Sequence, residues 1–174
     1  MSQPGWIELS QVDFVTIDTI GPPGQRAFYL QAAQDELLVT LLIEKEQAAA
    51  IAVAVGGMLR QLGEDFEGSD LEDMELIQPV VPLFRVGKLE LGYDQERDML
   101  TIVAEELVPE EEVGGQVRIW ATHEQMAALA RQAAVAVASG RPICPLCDEI
   151  INPGEEHVCV RDNGHKRLYK LEGD

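Results

Sequence analysis

The chain has 174 residues, 46% of them hydrophobic, and a formal net charge of −18. That length holds one ordinary domain and a small appendage, with enough apolar residues for a buried core. Residues 1–140 carry 24 acidic and 8 basic side chains (−16), and residues 141–174 carry 7 and 5 (−2). A body this acidic disfavours nucleic acid and anionic membrane, which bind through Lys and Arg. No secretory leader is read at the N-terminus, and the longest apolar run, Ala48 to Val55, is too short to span a bilayer. A soluble, cytoplasmic protein is expected.

Strands open the chain. Phe14 to Ile17 is the first, ended by the turn Gly21-Pro22-Pro23-Gly24; Arg26 to Ala32 and Leu37 to Ile43 complete an antiparallel meander. A helix follows from Glu44 to Leu62, with Glu44 and Glu46 at the end favoured by the helix dipole and Gly63 as its stop. Its apolar residues nearly encircle it, which predicts a mostly buried helix. Gly56-Gly57 is expected where it closely approaches a sheet or helix.

From Glu64 to Glu75, seven of twelve residues are acidic, the pattern of a solvated linker. Strands resume at Phe84 to Tyr93, with a phase slip near Gly87-Lys88 that predicts a bulge. Asp94 to Arg97 turns the chain, Met99 to Ala104 returns it, an acidic loop spans Glu105 to Gly115, and Gln116 to Trp120 is the next strand. Thr122-His123-Glu124-Gln125 is a capping box for a helix over His123 to Ala138. Trp6 and Trp120 are expected as core anchors, His123 as a residue of the helix start, and Glu110-Glu111-Glu112 as a solvated loop.

Glu46 to Ala52 and Glu124 to Ala130 resemble one another, and each follows a three-strand meander. The predicted fold is α+β: antiparallel sheet with two Ala-rich helices in a repeated strand-strand-strand-helix order. Residues 1–140 form this domain, with halves at about 10–63 and 82–140 and an acidic linker over 64–81. Residues 141–174 form a separate module.

All three cysteines lie in that module. Cys144-Pro145-Leu146-Cys147 has the spacing that lets two thiolates share one metal, and His157-Val158-Cys159 follows after the turn signal Asn152-Pro153-Gly154. The reading is a zinc-ribbon-like module with Cys144, Cys147, His157 and Cys159 as ligands and His165 as the rival fourth. Three thiolates and an imidazole fill a tetrahedron, leaving no place for water or substrate, so the Zn²⁺ is structural. A redox dithiol is the competing use of Cys144 and Cys147. Arg161, Lys166, Arg167 and Lys170 make the end of the module locally basic. No phosphate-cradling loop, nucleophile elbow or other catalytic set is read.

The stretch Gly21 to Ala32, then Glu44 to Gln47, Phe84 to Gly87, Gly140 to Cys147 and His157 to Gly164 together resemble the uncharacterised bacterial family called domain of unknown function 3090. The resemblance spans nearly the whole chain. It implies genes for a phosphomutase-like protein of the histidine phosphatase kind and a lipid-kinase-like protein nearby, hence a shared pathway or complex.

The function expected is that of a non-catalytic, zinc-stabilised adaptor or regulatory interaction protein. Two alternatives stand beside it. One is an enzyme acting on a phosphorylated small molecule through Arg26, Arg85 or the acidic loops, and the other a zinc-ribbon nucleic-acid binder.

Overall fold

A computed structural model describes residues 5–22, 24–63, 74–139 and 146–147, with the backbone of 156–158 and 168–170. In chain order the strands are β1 (Trp6–Leu9), β2 (Phe14–Ile20), β3 (Ala27–Gln34) and β4 (Leu37–Ile43), followed by helix α1 (Lys45–Gln61). Then come β5 (Val86–Asp94), β6 (Met99–Glu106) and β7 (Gln116–Ala121), helix α2 (His123–Ser139), and the short strands β8 (Glu156–Val158) and β9 (Leu168–Lys170). The chain divides into two compact units, Met1–Thr19 with Ala27–Val137, and Ile20–Arg26 with Ala138–Asp174.

The fold is α+β, built on antiparallel meanders and two helices. The strands form a four-stranded sheet in the order β1-β7-β6-β5, a three-stranded sheet β2-β3-β4, and the β8-β9 hairpin. Strand β1 lay outside the predicted elements: it joins β7 in parallel, Trp6 opposite Gln116 and Leu9 opposite Ile119. A four-residue strand whose partner is more than a hundred residues away leaves little local pattern to read.

Each meander is tied by its own turn. Between β3 and β4, Asp35 takes a positive φ of 53°, a conformation Asp tolerates better than most residues, and its N–H donates to Asp13 at 2.8 Å. Between β5 and β6, Asp94 Oδ1 accepts the N–H groups of Glu96 and Arg97 at 2.9 and 3.0 Å. The expected bulge is present, as the β5–β6 register shifts between Val86 and Lys88. Gly87 has a steric reason to be glycine there, because a Cβ would lie 2.9 Å from the Leu107 Cα.

Both helices start as their residues dictate. Gln47 accepts the Glu44 N–H at 2.8 Å, and in α2 Thr122 and Gln125 exchange hydrogen bonds of 3.0 and 3.1 Å. Gly63, at φ 75°, follows α1. Only one stripe of α1 is inside, Ala48, Ile51, Val55 and Leu59, while Val53 is 74% exposed. The expectation of a mostly buried helix fails because Ala is equally at home on either face. The expected close approach at Gly56-Gly57 fails too: a Cβ on Gly57 meets nothing within 4 Å.

The core is aliphatic. Ile17, Leu30 and Leu41 of one sheet, Leu100, Ile102 and Ile119 of the other, and Ile51, Met126 and Leu129 of the helices are at most 1% exposed. The two sheets are laced together by backbone hydrogen bonds at two corners. At one, Leu42 donates to Phe84 and Leu83 to Thr40 (3.0 and 2.7 Å), with Leu42 bridged in parallel to Arg85. At the other, Val12 donates to Trp120 and Asp13 to Ala33 (3.1 and 2.8 Å).

Three polar residues, Thr16, Gln31 and Thr40, are buried in the β2-β3-β4 sheet on the face opposite Leu30 and Leu41. They are satisfied by the chain segment that approaches β5. Thr16 donates to the Met74 carbonyl at 2.6 Å. Gln31 accepts the Ile77 N–H at 2.7 Å and donates to the Ile77 carbonyl and to Thr40 Oγ1, both at 3.1 Å. The end of the segment expected as a linker is thus fastened to the sheet. Gln31→Leu keeps the volume but removes both hydrogen bonds to the Ile77 backbone, which at about 0.5–1.5 kcal/mol each costs about 1–3 kcal/mol. Urea unfolding should show that loss, whereas an unchanged midpoint would mean the segment is not held by Gln31.

Candidate functional site

Of the expected zinc ligands, Cys144 and Cys159 lie outside the described residues, as does His165. Cys147 follows Leu146 in a turn and is half-buried. His157 is the middle residue of β8 and stands opposite Tyr169 of β9 in an antiparallel pair. Among the described residues, no group of three or more His, Cys, Asp or Glu could hold a metal ion. In the same unit Arg26 Nη1 donates to Ser139 Oγ at 2.9 Å, close to the end of α2. Arg85, the other arginine of the enzyme alternative, pairs with Glu44 at 3.3 Å with both side chains more than half exposed. Such an exposed pair contributes little to stability.

A polar cluster forms where the β5–β6 turn meets the start of α2. Tyr93 donates to Asp98 Oδ1 at 2.6 Å, and His123 Nε2 lies 2.8 Å from the same oxygen. The Tyr93 and His123 rings meet edge to face at 5.8 Å. Asp98 holds a positive φ of 52° immediately before β6, and its Oδ1 is shared by both rings. The hydrogen bond from Tyr93 is the largest cause holding the Asp98 carboxyl below the ordinary aspartate range; desolvation opposes it and His123 adds to it. Sequence reasoning placed His123 at the helix start, which is correct, and missed Asp98 and Tyr93, whose positions 25 and 30 residues upstream carry no shared motif.

The outer face of the four-stranded sheet carries the tryptophans. Trp120 is buried, with Arg97 4.2 Å above its ring and its Nε1 donating to Glu8 at 2.9 Å. Trp6 is not a core anchor: it is 50% exposed, with Arg118 5.0 Å from its ring centre. Its place on the edge strand β1 leaves one face to solvent.

Concave features mark the surface of this unit. A cavity of about 260 Å³ is lined by Ile7, Leu83, Phe84, Glu106, Val113 and Gly115. Around it Leu83, Leu107 and Val113 are 54%, 59% and 81% exposed, and the exposed Glu110, Glu111 and Glu112 immediately precede Val113. A larger groove, about 560 Å³, runs between α1 and β5.

A family model matches residues 7–159, and its family is described as a protein of unknown function, DUF3090. The chain belongs to the DUF3090 family. No curated protein and no solved structure matches it. The matched span of this DUF3090 chain takes in Cys144, Cys147, His157 and Cys159 and ends at the last of them. Among its described residues no helix is long and apolar enough to cross a membrane.

The Asp98 cluster gives this DUF3090 member a definite pH signature. A carboxyl lowered from 3.8 in the folded state stabilises the fold above that pH and loses its contribution as pH falls through the folded value. Asn also tolerates the positive φ, so Asp98→Asn removes the charge without straining the turn. The melting-temperature deficit of Asp98→Asn should be present at neutral pH and shrink below pH 3.8. A deficit independent of pH would contradict the assignment.

Proposed function

We propose that the chain is a zinc-stabilised interaction protein that docks a partner and does not itself catalyse a reaction. The observation that carries this reading is the cavity beside Leu83 and Val113. Large apolar side chains more than half exposed around a concave surface are the mark of a docking site, and the adjoining Glu110-Glu111-Glu112 selects a partner with basic residues at its rim. The partners proposed are phosphomutase-like and lipid-kinase-like proteins of the kind the family resemblance implies.

In this reading the C-terminal module is folded by one Zn²⁺ on Cys144, Cys147, His157 and Cys159. Three thiolates and an imidazole suit tetrahedral zinc and leave no open position, so the metal is structural. Support comes from the place of Cys147 in a turn and of His157 on the β8-β9 hairpin. The family match, which reaches Cys159 and stops short of His165, favours His157 as the fourth ligand. Binding of zinc to such isolated modules is worth about 10–16 kcal/mol, enough to order a short segment with few large apolar residues. Redox use of Cys144 and Cys147 is the reading this set displaces.

Elemental analysis of chelator-free protein should find one zinc per chain, weakened by Cys159→Ser and by His157→Ala but not by His165→Ala. Absence of zinc, with reactive thiols, would overturn the metal assignment. Val113→Asp and Leu83→Asp alter exposed residues, so they should leave the melting temperature unchanged while abolishing co-purification of the partner from the native host. Co-purification that survives both changes would remove this surface from the proposal.

A further inference from the structure

Strand β4 pairs in parallel with the segment that leads into β5, through Leu83→Thr40 and Leu42→Phe84 hydrogen bonds and the Leu42–Arg85 bridge. At Glu44 the chain leaves this ladder for α1, while β5 runs on to Asp94. Strand β5 is the last of its sheet, so beyond this point it has β6 on one side and, among the described residues, no strand on the other. An edge strand presents alternate N–H and C=O groups outward, and these are the groups that recognise another extended backbone.

The groove follows this edge. It is lined by Gly87, Lys88, Leu89 and Leu91 of β5 and by one face of α1, and by no residue of β6. Consecutive residues of one strand can line a single groove only along the strand's edge, because their side chains alternate between faces. On the helix side Ala50 and Ala54 are exposed and small, leaving room for a chain to lie between helix and strand. Leu89, Leu91 and Ile51 supply the apolar floor.

The charges around the groove are unequal in their freedom. Lys88 is held by Glu90 at 2.8 Å, and Gln47 is held by the Glu44 N–H and the Val86 carbonyl. Glu46 lines the groove with no ion-pair partner among the described residues. The charge left over is therefore negative, on a body that is itself strongly acidic.

We propose that the groove between β5 and α1 takes an extended peptide segment of a partner protein as a fifth strand on the β5 edge, with apolar side chains against Leu89, Leu91 and Ala54 and a Lys or Arg opposite Glu46. This rests on the reading of the chain as an interaction protein and names a second contact with its own chemistry. Backbone hydrogen bonds supply the affinity and the alternate side chains the selectivity.

The test selects phage-displayed random short peptides on the immobilised full-length chain and follows the tightest by amide hydrogen exchange and calorimetry. The expected peptides alternate apolar residues and carry a basic one, and they slow exchange of alternate amides between Lys88 and Gly92. Ala50→Phe, which fills the groove from an exposed position, and Glu46→Lys should each weaken binding by about tenfold or more with the melting temperature unchanged. Val113→Asp should leave peptide binding intact. Peptides that bind without protecting β5, or that bind Ala50→Phe equally well, overturn the proposal. So does a dimer in solution whose β5 amides are already protected. If no peptide binds, the groove is refuted while partner capture sensitive to Val113→Asp keeps the interaction reading. Loss of both refutes the two together.

Discussion

A glutamine side chain inside a sheet is costly unless its carbonyl and amide are both answered, and in this chain the answer comes from a segment more than forty residues away. Gln31 is fully buried and closes a reciprocal pair of hydrogen bonds with the Ile77 backbone, flanked by Thr40 and by the Thr16 bond to Met74. The polar face of β2-β3-β4 therefore accepts a hydrogen-bonding strap where a sheet would ordinarily carry apolar packing. Since the buried Thr16 and Gln31 side chains would lose these partners without the strap, the strap and the sheet stabilise one another.

The consequence reaches the second sheet. With Ile77 fixed, the chain passes a cis Gln78–Pro79 bond and delivers Leu83 to Thr40 and Phe84 to Leu42. This corner sets where β4 stops being a strand partner and where β5 begins its unpaired edge. It also holds Leu83 at the rim of the cavity shared with Val113. Both proposed docking features therefore lie beside the same corner, one formed by the side chains that the strap presents and the other by the strand edge it leaves uncovered.

Legibility followed the range of the signal. Leu37 to Ile43, the capping box at Thr122 to Gln125, the stop at Gly63 and the bulge near Gly87 were readable because each is written in a few adjacent residues. Strand β1, the exposed face of Trp6 and the fastening of Ile77 were not, since each depends on a partner far along the chain. The strap is the clearest case. Seven acidic residues among Glu64 to Glu75 read as solvated, while Thr16, Gln31 and Thr40 look in sequence like the outward residues of half-exposed strands. The cysteine spacing is local and legible, and it defines the zinc proposal. Asp98, His123 and Tyr93 meet only through the turn that gives Asp98 its positive φ.

The most direct test of this account is the exchange rate of the Ile77 amide in the native protein. A loop amide exchanges almost freely, whereas one donated to buried Gln31 should open only when the sheet itself opens. The account predicts protection of Ile77 close to that of the β3 and β4 amides, lost in Gln31→Leu. Fast exchange at Ile77 in the native chain would contradict it and leave the corner at Leu83 without its anchor.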